Sequence, residues 1–261
     1  MACAITCKIT DVQHFSGKVT CFSKVGAIKV IADKLSDVQL DMFSRSCFGK
    51  LFKMNELKFA GQLVHNMLLR QVECDDDAEL WFALPNDSVI RFSIQEFGLI
   101  TGLDCGPYPK DWSSEECTTA DPFSHRIFNG SSKVSNKRLD ATFRSVSLDN
   151  DEDIVKLALL YFLEIVLLGK DPKNHIKREH IQLLDDMNAF NQYPWGRCCY
   201  EMTLSGMKKD FKKMAANVGK RNKGDNYKAD SAFYALSGFP YAFQVQVLWS
   251  WFVLVTNGWF V

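Results

Sequence analysis

Residues 79–102 read ELWFALPNDSVIRFSIQEFGLITG and carry the clearest structural signals of the chain. Apolar and aromatic β-formers stand on both sides of the polar turn 85–88, which predicts an antiparallel β-hairpin over about residues 79–93. The residues after the second strand have the spacing of a capping box, a hydrophobic staple and a glycine C-cap. The positions that form this junction are Phe92, Ser93, Glu96, Phe97 and Gly102. The stretch therefore predicts a hairpin that leads directly into a helix.

Upstream of the hairpin, apolar spacing predicts three helices. The first covers residues 24–35, and the second begins after Ser36, which has capping-box spacing to Gln39. The third covers about residues 59–71, where Leu63, Val64, Met67 and Leu68 share one face. Residues 1–20 show no clear period and are expected to be an irregular N-terminal segment.

Downstream of the hairpin, residues 104–136 are rich in Pro, Ser and Thr and predict a long loop. The acidic residues at 149–153 suit a helix N-terminus, and the following helix, 154–168, is apolar on nearly every side. Further helices are predicted over 180–190, over about 200–218 and after Pro240. We therefore predict a mainly α fold, with one helical domain over 21–247 that contains the small antiparallel hairpin.

The segment NQYPWGRCCYE at 191–201 is compatible with a metal site, a thiol nucleophile or a packed corner. We favour the corner, because Pro194 prevents the preceding helix from continuing and Gly196 would let the backbone reverse. Trp195 would anchor the corner in the core, where its indole N–H needs an acceptor. In the adjacent pair Cys198 and Cys199, one thiol is expected to pack inward.

Two other groups of residues raise the question of catalysis or metal binding. The sequence GLDCG at 102–106 has the Asp-Cys-Gly of proteases that cleave ubiquitin-like proteins, but His65 and Gln95 do not have the required spacing to Cys105. Four N-terminal residues, Cys3, Cys7, His14 and Cys21, match no compact zinc module. We therefore expect no catalytic residue, no metal site and no cofactor.

Charge gives no general attraction to nucleic acid, since 31 Lys and Arg balance 31 Asp and Glu. Cations do concentrate locally, over residues 208–228. The members of this basic patch are Lys208, Lys209, Lys212, Lys213, Lys220, Arg221 and Lys223. A solvated helix face and loop is the favoured interpretation, and the alternative is a nucleic-acid contact or a nuclear import signal.

The C-terminal segment 243–261, FQVQVLWSWFVLVTNGWFV, is strongly apolar but too often interrupted by polar residues to form a membrane anchor. We expect a final helix that ends in an exposed apolar surface, and a divergent, truncated extension over 248–261. The N-terminus lacks the pattern of a signal peptide, which favours free thiols and a place in the nucleus or cytoplasm.

Several segments together resemble a plant family, domain of unknown function 1985. They are CFGKLFKMNELKFAGQLVHNMLLRQVE, ELWFALPNDSVIRFSIQEFGLITGLDCGPYP, DEDIVKLALLYFLEIVLLGKD, LLDDMNAFNQYPWGRCCYE and YALSGFPYAFQVQV, between residues 47 and 247. Such domains often stand upstream of a SUMO-type protease domain in genes that transposons carry. The resemblance implies no catalytic residues.

From these observations we expect a non-catalytic interaction or accessory domain with a protein partner that the sequence does not identify; the resemblance implies a protease domain as a candidate partner in full-length relatives. Two alternatives remain at this point. One is that the chain is part of a cysteine protease for ubiquitin-like proteins, and the other is that it binds nucleic acid through the basic patch. No membrane association is expected.

Overall fold

The structure is a computed structural model that describes residues 5–84, 88–109, 122–131, 133–221 and 232–256. The fold is mainly α-helical with a small antiparallel hairpin, which confirms the predicted fold class. In chain order the elements are β1 (Gly17–Cys21), α1 (Ala27–Lys34), α2 (Asp37–Ser44), α3 (Gly61–Leu68), β2 (Leu80–Ala83), β3 (Val89–Phe92), α4 (Ile94–Thr101), α5 (Phe123–Phe128), α6 (Asn136–Ser145), α7 (Asp151–Tyr161), α8 (Arg178–Gln182), α9 (Met187–Gln192), α10 (Trp195–Met207), α11 (Phe211–Arg221), β4 (Ala232–Leu236) and α12 (Pro240–Thr256). Short 3₁₀ helices cover Asp11–Gln13, Gly49–Lys53 and Leu183–Asp185, and a π-helix, Phe162–Leu167, follows α7.

The chain forms two compact units, each assembled from segments that are distant in sequence. The hairpin unit comprises Met1–Cys21, Lys58–Ile100 and Tyr200–Val261. The helical unit comprises Phe22–Leu57 and Thr101–Cys199. Sequence analysis treated 21–247 as one domain, because periodicity identifies elements but does not show which distant elements pack together.

In the hairpin unit, β2 and β3 pair antiparallel with Leu80 opposite Phe92 and Phe82 opposite Ile90. These four side chains are buried, since alternate residues of a strand point to the same face. Phe243 of α12 covers that face, with its ring centroid 4.7 Å from Phe82 and 5.3 Å from Phe92. The hairpin and α12 thus form one aromatic core.

The strand-to-helix junction has one of the two hydrogen bonds of a capping box, and its serine hydroxyl accepts from the backbone N–H of Gln95 over 3.2 Å rather than from that of Glu96. The backbone N–H of Ser93 donates to Glu96 Oε2 over 2.8 Å, and the Ser93 hydroxyl donates to the same carboxylate. The Phe92 and Phe97 rings meet edge to face at 6.4 Å. At the other end of α4, Gly102 has φ +67°, a conformation that suits glycine.

The segment 1–20, which sequence analysis expected to be irregular, contains ordered structure in its described part. β1 pairs in parallel with β4, from Gly17 opposite Ala232 to Cys21 opposite Leu236. The prediction missed this pair because each strand has only five residues and the partners are more than two hundred positions apart. Neither strand has a local turn to reveal its partner, as a hairpin does.

In the helical unit, α7 and the π-helix form the central buried element, as their apolar sequence predicts. The Asn150 side chain caps α7 by accepting from the backbone N–H of Glu152 over 2.8 Å. Phe162, which is fully buried, packs against Phe43 at 5.7 Å and Phe48 at 5.4 Å between ring centroids. Phe143 of α6 stacks on Tyr161 of α7, with 4.4 Å between ring centroids, so rings from several helices meet this element.

One helix lies where loop was predicted, and a second lies in the stretch after it, for which no element was predicted. α5 falls inside the expected loop 104–136, and α6 begins at its end, while residues 110–121 lie outside the described residues. α6 was missed because its apolar stripe is short: only Leu139 and Phe143 of its apolar side chains are buried. Ser135 starts this helix by accepting from the backbone N–H of Arg138 over 3.2 Å.

Two predicted helices are each divided in the structure. The segment 180–190 breaks at Asp186, whose carboxylate accepts from the backbone N–H groups of Asn188 and Ala189 and so starts α9 anew. The segment 200–218 breaks at Asp210, whose carboxylate accepts from the backbone N–H of Lys213 over 2.9 Å and starts α11. In both cases an aspartate within the periodic pattern acts as a cap.

Candidate protein-interaction surface

Trp195 anchors the corner at the start of α10. Its side chain is 1% exposed, and its indole N–H donates to the carbonyl oxygen of Phe190 over 2.7 Å. Pro194 stands immediately before the helix, where its missing N–H costs nothing. The corner is a packed structural element whose polar group has an acceptor.

Gly196 has a different role from the predicted one. It lies within α10, so it does not reverse the backbone. Its N–H donates to the carbonyl oxygen of Asp104 over 2.7 Å, and a Cβ here would lie 2.5 Å from that oxygen and 2.6 Å from Cys105 Sγ. Arg197 donates to the carbonyl oxygens of Gly106 and Cys105, at 2.5 Å and 3.1 Å. Glycine is needed because the loop after α4 comes so close to the helix.

Two of the candidate nucleophiles, Cys105 and Cys199, sit in surroundings that keep them protonated. Burial and the neighbouring carboxylate of Asp104 raise the pKa of Cys105 to about 11. Cys198 and Cys199 are both buried, and burial raises the pKa of Cys199 well above its ordinary value. Because the thiolate is the nucleophilic form, the thiols of Cys105 and Cys199 are poorly reactive at neutral pH.

His65, the imidazole considered as a base, is engaged at both ring nitrogens. Nε2 lies 2.9 Å from the carbonyl oxygen of Phe15, which can only accept, so Nε2 carries a proton. Nδ1 lies 2.9 Å from the Tyr234 hydroxyl. Burial lowers the pKa of His65, which favours the neutral ring with Nδ1 as the acceptor. The imidazole thereby fastens the segment around Phe15 to α3 and β4.

The basic patch is partly neutralised within the described residues. Lys208 lies 3.1 Å from the carboxylate of Asp77, and Lys212 lies 3.2 Å from that of Glu73. Of the other lysines of the patch, Lys209 stands just before α11 and Lys213 lies within it. Lys220 and Arg221 end α11, with side chains outside the described part, and Lys223 lies outside the described residues altogether. Pairing reduces the positive charge that would favour a phosphate backbone.

A groove of about 640 Å³ opens on the hairpin unit beside α3 and α12. Its walls are predominantly apolar, with Arg70 and His14 as the charged or chargeable groups. The residues that line it are His14, Phe15, Leu63, Asn66, Met67, Leu69, Arg70, Val247, Leu248 and Trp251. A volume of this size is typical of ligand-binding clefts, which are mostly apolar with a few polar groups.

The two helical walls are fixed to each other by one buried side chain. Gln244 of α12 accepts from the backbone N–H of Ala60 over 2.7 Å and donates to the carbonyl oxygen of Lys58 over 3.0 Å. Both groups lie just before α3, so the start of that helix and the first turns of α12 are held together. The groove is therefore built on rigid elements, which is what a specific binding site requires.

The last turns of α12 extend the apolar surface beyond the groove. Leu248, Trp249 and Phe252 are 50%, 66% and 59% exposed. Sequence analysis expected such an exposed apolar end, and the structure shows it. None of the helices in the described ranges is long and apolar enough to cross a membrane. A contiguous exposed patch of large apolar side chains is typical of an interaction surface.

Sequence analysis identified only part of this surface. Its two signals were the shared apolar face of Leu63 and Met67 on the predicted third helix and the apolar end of the last helix. Phe15 and Arg70 were missed, because their place at the groove depends on the β1–β4 pairing and on the packing of α12. Among the described residues, no group of three or more His, Cys, Asp or Glu side chains could hold a metal ion; Cys3 of the N-terminal set lies outside them.

Comparison with known proteins gives a family without an assigned activity. The model of the family described as Domain of unknown function (DUF1985) matches residues 68–206, which is more than half of the chain. No curated protein and no solved structure matches the chain. The matched range contains the hairpin, α4 and the corner at Trp195, whereas α12 and the segment around Phe15 lie outside it. Most of the groove is thus contributed by parts of the chain that the family model does not match.

Proposed function

The chain belongs to the DUF1985 family, and from that membership, which brings no known activity, we propose that it is a non-catalytic protein-interaction domain. The observation that carries this proposal is the apolar surface formed by the groove and the last turns of α12. Large apolar side chains that stay exposed on a folded domain are stabilised when a partner covers them.

The resemblance noted in the sequence suggests a context for this role. The resemblance implies that domains of this kind often stand upstream of SUMO-type protease domains in plant genes that transposons carry. We propose that the chain is such an accessory domain, located in the nucleus or cytoplasm, and that it presents protein partners to a protease. The protonated state of Cys105 and the engaged ring of His65 support a non-catalytic role.

Substitution of the exposed apolar residues tests the proposal. In cells that express the tagged chain, Trp249→Glu with Phe252→Glu should abolish crosslinking to its partners, because a charge at the centre of an apolar contact is strongly unfavourable. Leu99→Glu is the matched control, since Leu99 is 85% exposed but does not line the groove. If the double variant crosslinks to the same proteins as the wild type, the surface is not the interaction site.

The enzyme alternative has its own test. We expect no turnover of a fluorogenic ubiquitin-like substrate, because the Cys105 thiol stays protonated at neutral pH. The Cys105→Ser variant is the control. Turnover by the wild-type chain that this variant lacks would replace our proposal with a protease.

A further inference from the structure

The groove has the form that receives a helix. Its walls are side chains of α3 and α12, and its remaining lining residues stand just before β1 or just after α3. None of the lining residues among the described ones belongs to a strand, so the groove presents no sheet edge to which an extended peptide could be added. Apolar grooves between helices bind amphipathic helices, whose apolar side chains recur every three or four residues.

The charge of the groove specifies its occupant further. Arg70 is half-buried in the lining, and among the described residues no carboxylate lies within ion-pair distance of its guanidinium group. The other chargeable group, His14, lies 3.6 Å from Asp11. The lining contains no acidic residue. A partner that brings a carboxylate to Arg70 would therefore complement the groove in charge as well as in polarity.

A second copy of this chain fits less well. The helix with which a copy would enter is α12, since its last turns are apolar and exposed. The sequence of α12, PYAFQVQVLWSWFVLVT, contains no Asp or Glu. Insertion of that helix would bury Arg70 beside an apolar surface without a partner, which is costly. The charge pattern thus favours a different protein.

We propose that the groove binds an amphipathic helix of another protein, which places apolar side chains at i, i+3 or i+4, and i+7 in the groove and an acidic residue against Arg70. This inference rests on the proposed interaction role and names the class of partner. α3 and α12 contact the apolar face of the bound helix, and the guanidinium group sets its direction and register.

Selection from a display library of randomised peptides of about 16 residues, long enough to form a helix, tests the proposal. Peptides should be kept if they bind the wild-type chain and not the Trp251→Glu variant. We expect the selected peptides to have apolar residues every three or four positions and to share an acidic residue. Enrichment of alternating, extended sequences, of basic sequences, or of no groove-dependent sequence at all would overturn the inference.

A charge exchange then tests the role of Arg70. Arg70→Glu should lower the affinity for a selected acidic peptide about tenfold, and replacing the acid of the peptide by Lys should restore it. Lys213→Glu is the control, because it changes the net charge equally on an exposed residue outside the groove. Equal losses in both variants would show that Arg70 makes no specific pair. A second copy as occupant would appear as concentration-dependent dimerisation that Trp251→Glu abolishes, which would also contradict the inference.

The experiments distinguish failure of the helix-binding inference from failure of the proposed interaction role. If the crosslinked partners depend on Trp249 and Phe252 but no helical acidic peptide is selected, only the class of partner is wrong. If the partners do not depend on those residues, the interaction role itself is wrong.

Discussion

At the scale of single residues, Trp195 shows how one side chain organises a unit. Its ring lies 5.1 Å from that of Phe190, 4.4 Å from that of Tyr193 and 5.2 Å from that of His180, measured between centroids. Its indole N–H is satisfied by a backbone carbonyl, so the residue contributes apolar area without a buried unpaired donor. Truncation would leave a cavity that such rigid surroundings fill only in part.

We therefore expect Trp195→Ala to lower the free energy of unfolding by about 3–5 kcal/mol. Trp249→Ala removes the same side chain from a position that is 66% exposed, and should change stability little. Urea unfolding followed by far-UV circular dichroism measures both variants. Similar midpoints for the two would show that the corner does not anchor the core.

Glu164 is the charged residue at the centre of the helical unit. It is fully buried on the π-helix, with one carboxylate oxygen 2.6 Å from His180 Nδ1 and the other 2.9 Å from Lys170 Nζ. Burial alone would raise the pKa of Glu164, but the hydrogen bond and positive charge of His180, together with Lys170, outweigh it. The pKa therefore lies below its ordinary value of 4.5, and the carboxylate is ionised in the folded chain.

This lowered pKa predicts a dependence of stability on pH. The contribution of Glu164 is fully present above the pKa of the unfolded chain, about 4.3, and is lost as the pH falls through the lower, folded value. Glu164→Gln should destabilise the chain by about 3 kcal/mol near neutral pH, because it leaves Lys170 buried without its carboxylate. The difference from wild type should shrink below about pH 4. Urea titrations across this range measure it, and Asp41→Asn, which breaks an exposed pair with Arg45, is the control.

At the scale of elements, α2 begins with a complete capping box. The Ser36 hydroxyl accepts from the backbone N–H of Gln39 over 3.4 Å, and the Gln39 side chain accepts from the backbone N–H of Ser36 over 2.9 Å. Both bonds are exposed, so water can replace them in part. The Gln39 amide also donates to Asp151 Oδ1 over 2.7 Å, so the side chain that completes the cap joins the start of α2 to the start of α7.

We expect Ser36→Ala to cost about 1 kcal/mol and Ser36→Gly only a few tenths. Alanine blocks solvation of the free N–H groups and favours a helical conformation at a position that is extended, whereas glycine tolerates both. Chemical denaturation of the two variants checks the order. If glycine destabilises as much as alanine, the hydroxyl has a role other than capping.

Structural elements that depend on residues close together in the chain were predictable from the sequence. The hairpin, the cap of α2 and the start of α12 at Pro240 depend on residues that are a few positions apart, and the structure has each of them. The β1–β4 pair and the division into two units depend on contacts between distant segments. No turn or periodic pattern encodes those contacts in a single sequence.

The candidate site likewise has one part that was predictable from the sequence and one part that was not. The exposed apolar end of α12 was predictable, since residues 248–253 are too apolar for an ordinary surface helix. The groove was not, because it needs Phe15 and Arg70 beside that helix. The aspartates at 186 and 210 were misjudged for a related reason: a polar residue in an amphipathic pattern looks like the solvent face until its side chain is seen to cap a new helix.

At the scale of the whole molecule, two properties act together. The chain has a formal net charge of zero at pH 7 and an isoelectric point near 6.9. It also exposes large apolar side chains over the last turns of α12. A net charge would keep the apolar surfaces of different molecules apart by electrostatic repulsion. Because the net charge is close to zero at neutral pH, this repulsion is weakest there.

We expect the isolated chain to self-associate weakly through Trp249 and Phe252, which do not line the groove, and to be least soluble near pH 6.9. Light scattering against pH should show a maximum there, and Trp249→Gln with Phe252→Gln should reduce it without moving its position. The double variant keeps the net charge, so a reduction reports the apolar contact alone. Because both side chains are exposed, the variant should unfold at the same urea concentration as wild type. Scattering that the variant leaves unchanged would show that a surface other than the exposed end of α12 drives association.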